Sequence, residues 1–460
     1  DAAREHVDAY ITALKKSYPG TKSTLKYFQI HNEPHQARFW AGQFNGGDQK
    51  KTIESYTNVF NELYDYLNKK HPEVNLIGTC LGHNGTYKMM QFYNEYEWED
   101  VPNKNKKFIN WDVYVKYFID NVNNPEALKY YNSHTYSIAP IRNLVNASMT
   151  QNYSENKRGV RPRYVITETS AATGKKSNAH NYQNQFKFNG DDIFMMLNNP
   201  DKFAARHAFV ASENNKNGHS IFKDELGLGL PEERKINKVL EPQSPYWVFL
   251  TYKNLRGKNL YYESDNEEVH VFSASPEDKK VVIGLFNPTG KKQFVNLETG
   301  LSKENVSRII QRKAFYDYSI ANAKYFEKEL NVELPISTVI EPESAYAFEI
   351  ELKQSIEKTR TIKTEEFYGS KVKKDMDEPI TVNISVPDIP NNINNVYLRI
   401  GIDRREDSGK YNFTFNDKDY TIAWEDTPEP AIDSWNYMSG YIEITVNKEN
   451  IKKENKLILQ

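Results

Sequence analysis

The sequence has little cysteine, no long apolar run and almost no excess of charge of one sign. Its 460 residues include one cysteine, Cys80, so the chain cannot form an internal disulfide, and a zinc site built on several cysteines is excluded. No apolar stretch approaches the ~18 residues that a membrane-spanning helix needs. Lysine and arginine number 60 and aspartate and glutamate 62, and no basic stripe stands out, which argues against nucleic acid as a partner.

Two catalytic signatures are also missing. The sequence contains no Gly-x-Ser-x-Gly elbow of the kind that presents a nucleophilic serine. No group of histidine, aspartate and glutamate has the sequence spacing of a metal site, so we expect neither a catalytic metal nor a cofactor. Tyrosine is abundant instead, with 31 residues. Tyrosine rings suit sugar surfaces, although half-buried packing is the commoner role of any single tyrosine.

Up to about residue 255, short apolar strands alternate with amphipathic helices. This alternation is typical of a parallel sheet, either open or closed into a barrel. One helix is expected over 111–131, and another is expected to begin at Asp191 as its N-cap. Strands are expected at 25–31, 76–81, 132–136, 164–168 and 207–212.

After residue 255 the sequence changes to alternating polar and apolar residues with tight turns, which predicts antiparallel β structure. The polar, charged stretch 355–364 is typical of a linker between two β units. We therefore predict three domains, namely a (β/α)8 barrel over 1–255, a β-sandwich over 256–354 and a second β-sandwich over 355–460.

An apolar strand that ends in a glutamate carries the first chemical signal. The run 27–30 is followed by His31, Asn32, Glu33 and Pro34. In a parallel α/β barrel the carboxyl ends of the strands form the active-site face, so Glu33 would point into the cleft. Asn32 would reach a sugar hydroxyl, and Pro34 would end the strand. The alternative is a glutamate that is merely solvated at a strand end.

A second apolar strand ends in Glu168, three strands later along the chain. Two glutamates at the same face of one barrel can approach each other across its mouth. Retaining glycosidases hold such a pair ~5–5.5 Å apart. One carboxyl donates a proton to the leaving oxygen, and the other attacks the anomeric carbon. The alternative, a glutamate that is merely solvated at a strand end, is easier to accept for one such residue than for both.

The strand between them carries His134 and Tyr136, which alternation puts on the same side. If that side faces the cleft, Tyr136 would hydrogen-bond Glu168. His134 would bond a sugar hydroxyl or the acid/base. The alternative is a core histidine beside a packing tyrosine.

These motifs resemble those of the large clan of retaining (β/α)8 glycosidases with glutamates on strands four and seven. The resemblance implies that Glu33 of the Asn-Glu pair is the acid/base and that Glu168 is the nucleophile, with matching positions at Asn32 and Tyr136. Within the clan, the run 27–35 and the tail of two β-sandwiches look most like glycoside hydrolase family 86. That family comprises β-agarases and β-porphyranases, which cleave red-algal galactans internally, so the resemblance implies an endo-acting hydrolase of agarose or porphyran.

The same resemblance implies strands that precede Glu33. If Glu33 ends the fourth strand of a barrel, three strands should come before it, yet only a helix fits before residue 25. We therefore expect the intact protein to contain a further N-terminal barrel segment that supplies some substrate contacts. Without it, the barrel would expose apolar strand edges.

Loops at the same end of the barrel supply further candidate substrate contacts. His31, Trp40 and His83 lie in or beside these loops, and Trp40 would offer a platform for a sugar ring, with ordinary packing as the alternative. Two other interpretations of the whole chain stay open. It could be another β-glycosidase of the clan, acting on xylosides or other β-glycans, or a non-catalytic carbohydrate-binding protein. A polysaccharide substrate predicts a secreted or cell-envelope location.

Overall fold

The structure is a computed structural model that describes most of the chain. It covers residues 2–17, 27–34, 40–45, 48–81, 111–136, 141–170, 178–208, 212–213, 222–223, 241–265, 268–356, 365–369, 379–389, 393, 396–404, 410–423, 431–432 and 438–459.

The first part of the chain forms a five-stranded parallel sheet with helices between its strands. The strands are β1 (Tyr27–Gln29), β2 (Asn75–Leu81), β3 (Tyr130–Tyr136), β4 (Arg163–Ser170) and β5 (Phe203–Ala208). They lie in chain order across the sheet, and each pairs in parallel with the next. The helices are α1 (Ala2–Ser17), α2 (Trp40–Asn45), α3 (Gln49–Lys70), α4 (Trp111–Asn121), α5 (Ile141–Arg158) and α6 (Asn178–Asn198). The predicted parallel α/β sheet is therefore confirmed.

Local sequence explains how β2 and its neighbouring helices pack. Every residue over 76–80 is buried, as expected for a central strand of a parallel sheet. Gly78 leaves room for Phe118 of α4, whose ring would lie 2.8 Å from an added Cβ. Asp48 caps α3 by accepting a hydrogen bond from the Lys51 amide at 3.0 Å. Small and capping residues thus fix the helices that hold the strand ends in place.

Two expected helices have different bounds in the structure. The helix predicted over 111–131 ends at Asn121, and Pro125 begins a short 3-10 helix that leads into β3. Proline lacks an amide hydrogen and therefore interrupts α-helical bonding. Asp191 is not an N-cap, since it lies inside α6.

Short elements follow the parallel sheet. They are β6 (Ser212–Glu213), β7 (Phe222–Lys223), β8 (Glu241–Pro242) and α7 (Ser244–Thr251). The three strands form a small sheet of their own.

The described strands after residue 255 pair in antiparallel fashion, as predicted from the alternating pattern of that part of the sequence. The first group of strands is β9 (Lys258–Asn259), β10 (His270–Glu277), β11 (Lys280–Asn287), β12 (Gln293–Leu297), β13 (Val306–Asp317), β14 (Asn322–Leu330), β15 (Ile336–Ile340) and β16 (Ser344–Leu352). It forms a six-stranded sheet in the order β14-β13-β16-β11-β10-β9, and a pair, β12-β15.

The second group is β17 (Ile380–Ser385), β18 (Val396–Arg404), β19 (Lys410–Phe415), β20 (Lys418–Ala423), β21 (Ala431–Ile432), β22 (Met438–Val446) and β23 (Glu454–Leu459). These strands form a four-stranded sheet, β17-β23-β19-β20, and a three-stranded sheet, β18-β22-β21.

Separate apolar clusters underlie these units. Phe194 of α6 and Phe286 of β11 belong to one cluster, so helices of the parallel unit pack directly on the first antiparallel sheet. Phe348 lies in a second cluster within the first group, and Phe413 lies in the core of the second group. The domain boundaries, the closed eight-stranded barrel, the sandwich arrangement and the further N-terminal segment stay predictions. Among the described helices, none is long and apolar enough to cross a membrane.

Candidate active site

Glu33 lies just beyond the carboxyl end of β1, where the backbone makes a sharp turn. Its φ is 42°, in the left-handed region that residues other than glycine seldom adopt, and Pro34 follows it. The residue is nonetheless only 6% exposed. Strained backbone of this kind persists where the surroundings hold it, and it is common at functional sites. The turn thus keeps the Glu33 side chain buried beside the carboxyl end of β1.

Glu168 comes from β4, three strands away in the sheet. In a flat sheet, strands three places apart are about 14 Å apart, since neighbouring strands lie roughly 4.8 Å apart. One carboxylate oxygen of Glu33, one of Glu168 and a ring nitrogen of His134 nevertheless all lie within 4.8 Å of one another. The sheet is therefore curved, as the wall of a barrel is, and its concave side brings the two glutamates together.

His134 of β3 bridges the two glutamates. Its Nδ1 lies 3.0 Å from Glu33 Oε1 and 3.1 Å from Glu168 Oε2. The ring is fully buried, whereas the Glu168 side chain is 24% exposed. Both distances are short enough for a hydrogen bond, so a proton on Nδ1 can be donated to an ionised oxygen of either glutamate.

The other ring nitrogen of His134 faces Cys80. Nε2 lies 3.3 Å from Cys80 Sγ, and that sulfur lies 3.9 Å from Asn32 Oδ1. The pKa of His134 is raised to about 10. Burial opposes the charged ring, but hydrogen bonds to Cys80 and Glu33 and the negative charge of Glu168 outweigh that effect. At neutral pH the ring is therefore an imidazolium that lies between the two carboxyl groups.

The same three side chains could in principle hold a metal ion. In the described part of the chain, Glu33, His134 and Glu168 form such a group. They come from three segments far apart in sequence, so the sequence spacing gave no sign of them. A metal at Nδ1 would have to displace the proton on that nitrogen, and the raised pKa of His134 opposes that loss. The donor chemistry favours acid–base work, and the expected absence of a catalytic metal stays a prediction.

The other predicted contact residues lie in varied settings. His31 is half-buried, and its Nδ1 lies 2.8 Å from the Asn32 carbonyl oxygen. Trp40 opens α2, donates from Nε1 to Ser55 Oγ at 3.0 Å and packs edge-on against His31. This is the setting of a packing residue, and the role of Trp40 as a sugar platform stays a prediction.

Two predicted residues lie outside what the structure describes in full. His83 falls outside the described residues. The backbone of Tyr136 ends β3 and pairs with Ser170, but its side chain is outside the described part. Their roles stay predictions.

Sequence reasoning missed a buried polar group next to the glutamates. Asn132 donates from Nδ2 to Gln29 Oε1 at 2.8 Å and to Thr167 Oγ1 at 3.2 Å, and its Oδ1 accepts from the Cys80 amide at 3.0 Å. The alternation that selected His134 also places Asn132 on the cleft side of β3. This alternation along β3 is the sequence signal from which Asn132 could have been predicted as part of the site.

The parallel α/β sheet followed by antiparallel sheets, with two glutamates at strand ends, is the class of architecture that the motifs predicted. No protein-family model and no curated protein matches the sequence. Solved structures do match its fold. A β-porphyranase of glycoside hydrolase family 86 from the human gut bacterium Bacteroides plebeius is similar at a TM-score of 0.62 and 17% identity, over 95% of this chain and 75% of that chain.

A second similar structure is wild-type BuGH86 in complex with neoagarooctaose. Its TM-score is 0.66 at 15% identity, over 98% of this chain and 71% of that chain. A point variant of BuGH86 with the same oligosaccharide gives 0.64 at 15% identity, over 93% and 67% of the two chains. The resemblance to family 86 that the motifs suggested is therefore confirmed at the level of the fold.

Proposed function

We propose that this protein is an endo-acting, retaining glycoside hydrolase that cleaves β-glycosidic bonds of a red-algal galactan, agarose or porphyran. The observation that carries the proposal is that one carboxyl oxygen of Glu33 and one of Glu168 lie within 4.8 Å of each other, with a ring nitrogen of His134 between them. This separation suits a retaining mechanism, since inverting enzymes keep their carboxyl groups ~6.5–9.5 Å apart to admit a water. The similarity to family 86 structures supports the substrate class.

In the first step, Glu33 donates its proton to the glycosidic oxygen while a Glu168 oxygen attacks the anomeric carbon. The bond between that carbon and the leaving oxygen breaks as the bond to Glu168 forms. The departing sugar leaves as an alcohol, and a covalent glycosyl-enzyme remains. Glu33 is now a carboxylate.

In the second step, Glu33 accepts a proton from water as the water oxygen attacks the anomeric carbon. The bond to Glu168 breaks, which frees the nucleophile, and Glu33 is protonated again. Two inversions give net retention. His134 Nδ1 lies within hydrogen-bonding distance of both glutamates, so it can stabilise negative charge on whichever glutamate is ionised at each step.

A polymeric substrate also fits the proposed location. Galactans of this kind lie outside the cell, so we propose a secreted or cell-envelope protein. A β-glycosidase acting on xylosides or other β-glycans, and a non-catalytic carbohydrate-binding protein, are the rival functions that the experiment must separate.

The test is incubation of the intact protein with agarose and with porphyran, followed by separation of the products by size. We expect even-numbered oligosaccharides from one of the two polymers. Glu33→Gln and Glu168→Gln should each lower the rate on the order of 1,000-fold or more, because each carboxyl performs an essential step.

Glu62→Gln is the matched control, because Glu62 is an exposed glutamate on α3 that pairs with Arg4 at 3.7 Å. It should retain full activity. Monosaccharide as the first product would favour an exo-acting enzyme. A folded protein that binds these galactans but releases nothing from a wider panel of β-glycans would favour the non-catalytic alternative.

A further inference from the structure

Two β-bulges flank the candidate catalytic residues. Between β2 and β3, the register runs from Thr79 opposite Asn132 to Leu81 opposite Ser133, so Cys80 is an extra residue. Cys80 has a φ of 53°, in the left-handed region. Bulges bend a strand and re-aim the side chains beside them, and they are common next to active sites.

The second bulge lies between β3 and β4. Ser133 is opposite Ile166 and His134 is opposite Glu168, so Thr167 is the extra residue. Each bulge therefore adjoins a residue of the candidate centre. The first turns the Cys80 sulfur toward His134, and the second comes immediately before Glu168.

Asn132 holds both bulges with one side chain. Its Oδ1 accepts the amide hydrogen of Cys80, the bulged residue of β2, at 3.0 Å. Its Nδ2 donates to Thr167 Oγ1, on the bulged residue of β4, at 3.2 Å. The side chain is fully buried, so water cannot replace these partners.

The same amide also reaches β1, which is not a neighbour of β3. Nδ2 donates to Gln29 Oε1 at 2.8 Å, across the strand that lies between them in the sheet. Gln29 is the last residue of β1, and the turn that carries Glu33 follows it. This cross-link therefore fixes the curvature that brings Glu33 to Glu168.

We propose that Asn132 is a positioning residue that sets the separation and orientation of Glu33, His134 and Glu168. It does not contact the reacting atoms. It acts by fixing the strands β1, β2 and β4 around β3 through three hydrogen-bond partners, one on each of those strands. This inference rests on the proposed function for its predicted loss of kcat. Its predicted effect on the position of His134 does not depend on that function.

The kinetic test compares Asn132→Ala with Gln151→Ala. Gln151 is an equally buried amide, and its Nε2 donates to the carbonyl oxygens of Pro162 and Asp201 at 2.8 and 3.0 Å, at the opposite ends of the strands. Both variants should lose thermal stability. Assayed where both are folded, Asn132→Ala should lose about 100-fold in kcat with a much smaller change in KM, because misplacement by ~1 Å can cost that much.

Gln151→Ala should keep its kcat within a few-fold of wild type. Equal losses of kcat in the two variants would overturn the proposal. If Asn132→Ala does not fold, Thr167→Val serves in its place, because it removes one partner of Asn132 and keeps the side-chain shape. We expect it to lose about 10-fold in kcat, and unchanged kcat would contradict the proposal.

A second readout needs no substrate and separates this proposal from the proposed function. In protein with ¹⁵N-labelled histidine, the signals of His134 are identified by their absence from His134→Gln. Asn132→Ala or Thr167→Val should shift the Nδ1 and Nε2 signals of His134, and Gln151→Ala should not. Unshifted signals would overturn the positioning role even if the protein cleaves galactans, and shifted signals would support it even if no glycan is cleaved.

Discussion

At the scale of single residues, the centre of the site is one ring shared by two carboxyl groups. His134 Nδ1 lies 3.0 Å from Glu33 Oε1 and 3.1 Å from Glu168 Oε2, while Nε2 faces the Cys80 sulfur. Its pKa is raised to about 10, because those partners outweigh the cost of burying a charge. A buried cation beside an anion costs less than either charge would alone.

The raised pKa predicts how stability depends on pH. The folded protein retains the His134 proton up to about pH 10, whereas the unfolded chain loses it near pH 6.5. The stabilisation is therefore fully present below pH 6.5 and is lost as the pH rises toward 10. Within that window the free energy of unfolding should fall by up to about 1.4 kcal/mol per pH unit from this group.

His134→Gln removes the titrating group, so unfolding free energies measured from pH 6 to pH 10 should fall less steeply than those of wild type. His270→Gln is the control, since it removes a histidine that contacts Asp191 at 3.1 Å, away from the two glutamates. Its slope should stay closer to that of wild type than the slope of His134→Gln does. A His134→Gln slope as steep as wild type would show that the ring does not retain its proton in the folded state.

Some of these residues could be predicted from sequence, and others could not. Glu33 and Glu168 each end an apolar strand, which is a local signal. Cys80 stands in the strand expected over 76–81, and it is fully buried in β2. Its contact with His134 depends on a bulge, and no local pattern reports which residue of an apolar strand will be the extra one.

At the scale of elements, the segment 365–369 ties the later part of the chain to the parallel unit. Glu366 accepts a hydrogen bond from Ser148 Oγ of α5 at 2.8 Å, and its carboxylate lies 2.8 Å from the buried Lys202 ammonium. Burial opposes its ionisation. The charge of Lys202 and hydrogen bonds to Lys202, Ser148 and Tyr368 outweigh burial and lower the pKa of Glu366.

Loss of this carboxylate should destabilise the protein. Glu366→Gln leaves the Lys202 ammonium buried with Asp201 as its remaining acidic partner, at 3.3 Å. We expect a cost of about 3 kcal/mol in urea unfolding, the low end for breaking a buried ion pair. Because the pKa of Glu366 is lowered, this difference should be full above pH 4.5 and shrink as the pH falls below it.

Glu329→Gln provides the comparison, because Glu329 pairs with Arg308 at 2.8 Å on the exposed surface. An exposed pair contributes about 0–1 kcal/mol. Equal effects of the two variants would mean that the Glu366 pair contributes no more than a surface contact. The sequence predicted a linker just before this segment, but not the anchor, because an ion pair between distant segments leaves no local pattern.

Element bounds were less predictable than element types. The alternation of strands and helices gave the parallel sheet, since apolar periodicity follows burial directly. The stretch after α4 looks helical in sequence, but Asn124 caps and Pro125 begins a separate 3-10 helix there. The curvature that joins Glu33 to Glu168 depended on packing across the sheet, which periodicity does not encode.

At the scale of the whole molecule, a parallel sheet carries the two glutamates and antiparallel sheets follow it along the chain. α6 and α7 share an apolar cluster with the first antiparallel sheet, so this sheet supports the parallel unit. The fold is similar to family 86 structures along most of the chain. The choice of the proposed substrate would depend on loops at the strand ends, for which sequence patterns gave candidates such as His83 but no geometry.

The central claim is that Glu33 is the acid/base and Glu168 the nucleophile. It is tested most directly by azide rescue of Glu33→Ala and Glu168→Ala on a galactan oligosaccharide with a good leaving group, with ¹H NMR of the anomeric proton of the product. In Glu33→Ala, azide should attack the glycosyl-enzyme and give a β-glycosyl azide. In Glu168→Ala, azide should replace the nucleophile and give an α-glycosyl azide. The reverse pattern would exchange the two roles, and the same azide from both variants would contradict the two-glutamate mechanism.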